Sequence, residues 1–273
     1  MIGLGSNRLT VCRRGGMAIT QAGRGGMEWL AGGRMPSWAS PYSAQATAAL
    51  KDAFTAAQWA TIRDYGFAHP ALVPFINEDP MLVMSLIDGL GERWLYNGST
   101  GYFDLGIVPY LGLCGTLEFK LRSIKEYQAP LGSRNPYFIP IRENSTSTSL
   151  RTDFGSSNTT WGSFATNTKY KAEFTTKNGQ QRVSVNGNSV SLSASNVSYT
   201  ETLYLFAFNT NGNSNRIIDG DVYDLHLYDE STQADVAHFV PFKRNNTGEL
   251  LDIVNLQLAT KHGSFTISET QAS

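Results

Sequence analysis

The sequence predicts a mainly β fold, an antiparallel β-sandwich preceded by an extended N-terminal arm and a small helical segment. Three observations carry this expectation. From Trp94 onward, apolar and polar residues alternate with a period of two, the pattern of strands with one buried face. The alternating runs are short and separated by Gly, Asn and Ser, as in sandwiches and barrels. Ahead of them lie a Gly/Arg-rich start and two stretches of helical periodicity. A chain of 273 residues has room for one large β domain and a smaller appendage. The expected division is an assembly arm at 1–40, a helical anchoring and oligomerisation segment at 41–92, and the sandwich at 93–273.

The arm carries the near-repeats Arg14-Gly15-Gly16-Met17, Arg24-Gly25-Gly26-Met27 and Gly32-Gly33-Arg34-Met35, and its arginines face a single acid, Glu28. Such a segment buries too little apolar surface to fold alone, so it is either disordered or ordered by a partner. RGG-like spacing also occurs in RNA binders. Here the repeats are few, and Met and Trp side chains suit pockets on another subunit, which favours assembly. Arg14, Met17, Arg24, Met27, Trp29 and Trp38 are the expected assembly residues.

Pro41 to Asp64 reads as one helix. Ser43 is its N-cap, Leu50, Ala53, Phe54 and Ala57 share a face, and Gly66 is the stop. A second helix is expected from Asp79-Pro80, with Asp79 as N-cap, to about Gly89. Its Met81, Leu82, Met84, Leu86 and Ile87 are apolar on nearly every side, so it is buried against its own domain or a neighbouring chain. Beyond Trp94, Leu117, Phe119 and Leu121 alternate with Glu118, Lys120 and Arg122. Tyr170, Ala172 and Phe174 alternate likewise with Lys169, Lys171 and Glu173. Val183 and Val185 run into Asn186-Gly187, a hairpin turn, and Val190 and Leu192 continue after it. Further strands are expected at 203–209, 222–228, 236–240 and 251–256.

The formal net charge is −1 and only 16% of residues are charged, which argues against a nucleic-acid surface. Cys12 and Cys114 lie in no CxxC or Cys/His cluster and are expected to be reduced, non-catalytic thiols. No signal peptide or membrane span is visible, and the lipoprotein-like Leu9-Thr10-Val11-Cys12 lacks a preceding apolar run. Sequons at Asn97, Asn144, Asn158, Asn196 and Asn245 reflect polar turns.

Six segments carry a family likeness: YNGSTGYFDLGI at 96–107, LGSRN at 131–135, YLFAFN at 204–209, GDVYDLHLYD at 220–229, FVPFKRNNTGE at 239–249 and GSF at 263–265. Together they resemble the concanavalin A-like, or laminin G-like, jelly roll found in structural proteins of tailed gut bacteriophages and in Bacteroidetes surface proteins. The ending departs from that pattern, because Leu250-Leu251-Asp252-Ile253-Val254 follows the Gly248 turn where a Gly-x-Tyr-Asp segment is usual. The resemblance implies a virion structural protein: a capsid decoration protein, head fibre or tail component. Its partners would be other virion proteins and copies of itself, with the jelly roll displayed toward host or mucosal glycans. A virion location assembled in the host cytoplasm follows, with no membrane insertion. The alternative is a secreted bacterial glycan-binding module, or a jelly-roll glycoside hydrolase.

Candidate chemistry is sparse, and the chain is read as a non-enzyme. Asp219, Asp221 and Asp224 mimic the E-x-D-x-x-E strand of jelly-roll glycosidases, but every glutamate is replaced by the shorter aspartate and Gly220 reads as a turn into the Tyr223 strand. Asp219 and Asp221, with Asn211 and Asn213, are a possible calcium set, though no contiguous ligand loop is present. His69, His226, His238 and His262 are scattered along the sequence. For glycan contact the expected residues are Trp161 and Phe164, whose rings would stack on a sugar, and Asn209, Asn211 and Asn213, which would fix hydroxyls. The competing reading is that Trp161 caps the core and the Asn/Gly residues only turn the chain.

Overall fold

The computed structural model describes residues 39–144, 148–177, 180–193 and 197–272. Tyr42–Ser273 forms one compact unit, whereas of the other, Met1–Pro41, only 39–41 fall among the described residues. The six assembly residues of the arm therefore lie outside the described residues.

The alternation near Leu117 does what its period dictates. In the strand Leu113–Leu121 the odd-numbered Leu117, Phe119 and Leu121 are buried, while Glu118 and Lys120 point outward. That strand lies mid-sheet, paired with Lys169–Lys177 on one side and Asp219–Asp229 on the other. Gln180–Val185 and Asn188–Ser193 extend one edge, and Asp235–Arg244, Thr247–Asp252 and Gln257–Leu258 the other. Gly91–Gly98 pairs with both Asp219–Asp229 and Thr266–Gln271. The Asn186-Gly187 hairpin forms as expected, both residues adopting positive φ.

The second sheet runs in the order Thr260–His262, Tyr102–Asp104, Tyr204–Leu205, Leu131–Ser133, Tyr137–Glu143, Ser149–Gly155 and Ser157–Ser163, with the hairpin Phe208–Thr210 and Asn213–Asn215 beside it. Among the described residues, pairing is antiparallel apart from one parallel bridge, Asn209 to Ser133. Between the sheets lies a core rich in phenylalanine, including Phe103, Phe119, Phe138, Phe154, Phe174 and Phe206. Asn97, fully buried, braces the opening hairpin: its Oδ1 accepts from the Thr100 and Gly101 amides, and its Nδ2 donates to the Gly101 and Ile218 carbonyls.

Several expected boundaries move. The single helix splits into Ala44–Ala53 and Ala56–Ala68, because Thr55 and Gln58 form a reciprocal capping box that starts a new helix. Gly66 stays inside the second of these, and the helix ends at His69, ahead of Pro70. A short helix, Val73–Glu78, had no clear sequence signal. Asp79 caps nothing with its side chain; it is buried against Arg93, with Oδ2–Nη1 at 2.6 Å and Oδ1–Nη2 at 2.9 Å, and also accepts from the Lys243 amide. The helical residues share a core with the sandwich, where Leu82, Val83 and Met84 meet Val240, Phe242 and Leu251. Burial of this kind contributes about 1.5–3 kcal/mol per large side chain.

In the sandwich, the strand expected at 203–209 is broken at Phe206, whose φ of 71° turns its ring into the core beside Phe265. The strand expected at 251–256 ends at Asp252, whose carboxylate accepts from the His238, Val254 and Asn255 amides and sets a turn. Gly220 lies within a strand, and a Cβ there would sit 2.4 Å from the Lys120 carbonyl oxygen.

Candidate functional site

The residues expected to touch a glycan do not assemble into one surface. Phe164 is 4% exposed and packs edge-on against Phe119 and Tyr170, so its ring cannot stack on a sugar. Trp161 belongs to a strand, Ser157–Ser163. Its ring packs on the core and its Nε1 donates to Thr152 Oγ1 at 2.9 Å. Asn209 is buried; its Nδ2 donates to the Thr202 carbonyl and its Oδ1 accepts from the Gly212 amide, which shapes the hairpin. Asn211 and Asn213 are exposed at the hairpin tip, where Asn211 Oδ1 accepts from Asn135 Nδ2 at 2.6 Å.

The aspartates do not form a metal or carboxylate pair. Asp221 is fully buried and its charge is spent on Lys120, at 2.7 Å, and Arg122, at 2.8 Å. Asp219 accepts from Ser123 Oγ. The two lie in the first sheet, whereas Asn211 and Asn213 belong to a hairpin of the second, so this set does not fit calcium. Among the described residues no group of three or more His, Cys, Asp or Glu converges on a common point.

Two histidines that look scattered in the sequence meet in space. His226 and His238 are register partners on neighbouring strands, with ring centroids 4.8 Å apart. His238 Nε2 lies 2.6 Å from Asp224 Oδ1, and His226 Nε2 lies 2.8 Å from Asp235 Oδ1. Burial lowers the His238 pKa, but the Asp224 hydrogen bond, with the Asp224, Asp235 and Asp252 charges, more than offsets it and holds the imidazole above its usual value. Asp224, His226 and His238 line a cleft of about 510 Å³ between the segment around Met84–Gly91 and the outward face of the first sheet. Its charges are internally matched: Lys169 binds Glu92 at 2.7 Å and Glu118 at 2.9 Å.

A second cleft, of about 410 Å³, opens on the outward face of the other sheet, and the charged residues of its lining are all arginines. Its floor is Ile139 and Phe208, part of a small apolar cluster separate from the main core. Tyr127 and Tyr137 stand as walls, and Arg134, Arg142, Arg151 and Arg216 surround them. Local geometry explains the convergence. An irregularity between Ile139 and Arg142 keeps both on one face and sets Arg142 directly opposite Arg151. Arg134 stands in the turn before Tyr137–Glu143, and its Nε donates to the Tyr137 hydroxyl at 3.1 Å. Phe208 and Arg216 flank the same hairpin whose tip carries Asn211 and Asn213. The sequence candidates Asn209, Asn211 and Asn213 lie on this hairpin, whereas Arg134 with Tyr137 and Arg142 with Arg151 drew no expectation from the sequence.

Guanidinium groups lie over both rings. Arg142 and Arg216 sit 5.0 and 5.1 Å from the Tyr127 centroid, and Arg134 sits 5.6 Å from that of Tyr137. One buried carboxylate, Asp153, accepts from the Nε of Arg142 and, at 2.9 Å, from the Nε of Arg151. The arrangement offers a ligand an aromatic, apolar bed with fixed hydrogen-bond donors around it.

No family model matches the sequence, and no curated protein does. Among solved structures, a candidate carbohydrate-binding protein from Bacteroides ovatus superposes with a TM-score of 0.52 at 13% identity, over 67% of this chain and 62% of that one. The fold is a concanavalin A-like jelly roll. More distant likenesses to this jelly roll include domains LG4-5 of the mouse laminin α1 chain, with a TM-score of 0.38, 10% identity and coverage of 55% of this chain and 43% of that one. A heptameric SAP-like pentraxin from Limulus polyphemus gives 0.39 at 13% identity, over 53% of this chain and 78% of that one. The jelly roll spans about three fifths of the length of the Bacteroides protein it matches.

Proposed function

We propose that this chain is a non-enzymatic carbohydrate-binding jelly-roll module, and that it holds its saccharide in the arginine–tyrosine cleft. The observation that carries the reading is the cleft's composition. A sugar presents an apolar ring face and a rim of hydroxyls, and here two tyrosine rings and an apolar floor meet donors held by neighbouring side chains. The likeness to the Bacteroides candidate carbohydrate-binding protein supports the same class. It favours the glycan-binding module over a virion structural role, which rests on sequence resemblance and on residues 1–40.

Binding is tested on a glycan array and by titration calorimetry, with Tyr127→Ala and Tyr137→Ala variants whose melting curves check folding. Loss of one stacking ring is expected to weaken binding about tenfold, on the order of 1.5 kcal/mol. Absence of binding to any saccharide, or binding unchanged in both variants, would overturn the reading.

A further inference from the structure

The geometry points to an anionic saccharide, one bearing a carboxylate or a sulfate, as the occupant of the arginine–tyrosine cleft; this rests on the glycan-binding reading above. The first observation is an electrostatic conflict built into the sheet. Arg142 and Arg151 are direct register partners, and like charges facing one another across strands are unfavourable. Asp153, at 2% exposure, relieves part of the conflict by accepting from both Nε edges. Arg142 spends its Nη1 on the Glu143 carbonyl. Arg151 has no further hydrogen bond or ion pair among the described residues, so its Nη edge is available to a ligand.

The second observation is the state of the other two cations. Arg134 and Arg216 are exposed, and among the described residues neither bonds to a carboxylate; each rests on a tyrosine ring. Glu143 is buried with Oε2 accepting from the Tyr127 amide. Four guanidiniums thus line one cleft, and Asp153 is the carboxylate that two of them, Arg142 and Arg151, bond, in a chain whose net charge is −1. Arginine does not discharge by losing its proton, so an anionic ligand is what completes the site. The contrast with the histidine cleft is informative, because there every lysine has its carboxylate.

The third observation is shape. A guanidinium presents a planar fork that matches the oxygens of a carboxylate or a sulfate. The apolar floor of Ile139 and Phe208 lowers local solvation, which strengthens the interaction. A charged sugar fits both halves of the cleft at once, with its ring on Tyr127 or Tyr137 and its anionic group among the arginines.

The full chain is titrated against matched pairs: polygalacturonate and its methyl-esterified form, and carrageenan and unsulfated agarose. The expected result is at least tenfold tighter binding to one charged member than to its neutral partner, weakening as NaCl rises. Which pair responds identifies the anion. Arg134→Ala/Arg216→Ala removes two exposed cations without touching the core, and it should cost about tenfold for the charged member, whereas Arg182→Ala, on a different strand edge, should cost nothing. Equal affinity for charged and neutral members refutes the anionic assignment and leaves the glycan-binding reading intact. Charged-glycan binding that ignores the double variant refutes the assignment by placing the anion elsewhere. Failure to bind any saccharide refutes both.

Discussion

Replacing Asp153 by Asn tests whether this carboxylate holds the arginine cleft together. Asp153 and Arg142 are 2% and 8% exposed, and Arg142 Nε donates to Asp153 Oδ2. Removing one partner of a buried pair leaves an uncompensated charge and costs about 3–5 kcal/mol. The second pair, to Arg151, is partly exposed and adds at most about 1 kcal/mol. Asparagine keeps the shape and one acceptor, which places the net loss near the lower bound, about 3 kcal/mol. With a urea slope near the upper end of about 1–3 kcal/mol per molar, the unfolding midpoint falls by about 1 M. Equilibrium urea unfolding followed by fluorescence measures it. The companion Asp153→Asn/Arg142→Met removes both charges and should recover most of the loss, because the penalty comes from the orphaned guanidinium and not from the missing contact. A loss below about 1 kcal/mol in the single variant, or a double variant no more stable than the single, would show that Asp153 is not the charge hub of the cleft.

Three other outcomes follow from named contacts. The folded pKa of His238 is raised above its unfolded value of about 6.5. Its contribution is therefore fully present below about pH 6.5 and lost as pH rises through the folded value. The difference in Tm between the wild type and His238→Gln should shrink between pH 6 and pH 9, and a constant difference would sink the assignment. Phe164→Ala should cost about 3–5 kcal/mol in urea unfolding while leaving saccharide affinity unchanged, since the ring lies inside the core. Gly101→Ala should lower Tm markedly, because the new Cβ would sit 2.4 Å from the His262 carbonyl oxygen; an unchanged Tm would show that the two hairpins can move apart.

The strands were legible because each records its own burial locally. Leu117, Phe119 and Leu121 announce an inner face within five residues, and Asn186-Gly187 announces its turn within two. Boundaries failed where a long-range contact outweighed local pattern. Asp79 reads as a helix cap beside Pro80, yet Arg93 and the Lys243 amide claim its carboxylate from the sandwich. Phe206 reads as mid-strand, yet the core draws its ring inward through a left-handed residue.

The proposed cleft was illegible for a related reason. An aromatic in a polar stretch is the usual sequence sign of a sugar platform, and Trp161 and Phe164 match it. Phe164 is buried and Trp161 packs half-buried on the core, because a left-handed Gly162 and the register shift between Ser149 and Leu150 break the alternation and bring both rings to the same side. The residues that do converge come from the 125–130 loop, two strands and a hairpin, separated by up to 89 positions between Tyr127 and Arg216. No local window contains them, and each arginine alone reads as an ordinary surface charge. Only the register that sets Arg142 against Arg151 exposes the conflict, since a sheet has no cause to place two permanent cations opposite each other unless another group meets them. Asp153 meets them from below, and the open side of the cleft is where a ligand would meet them from above.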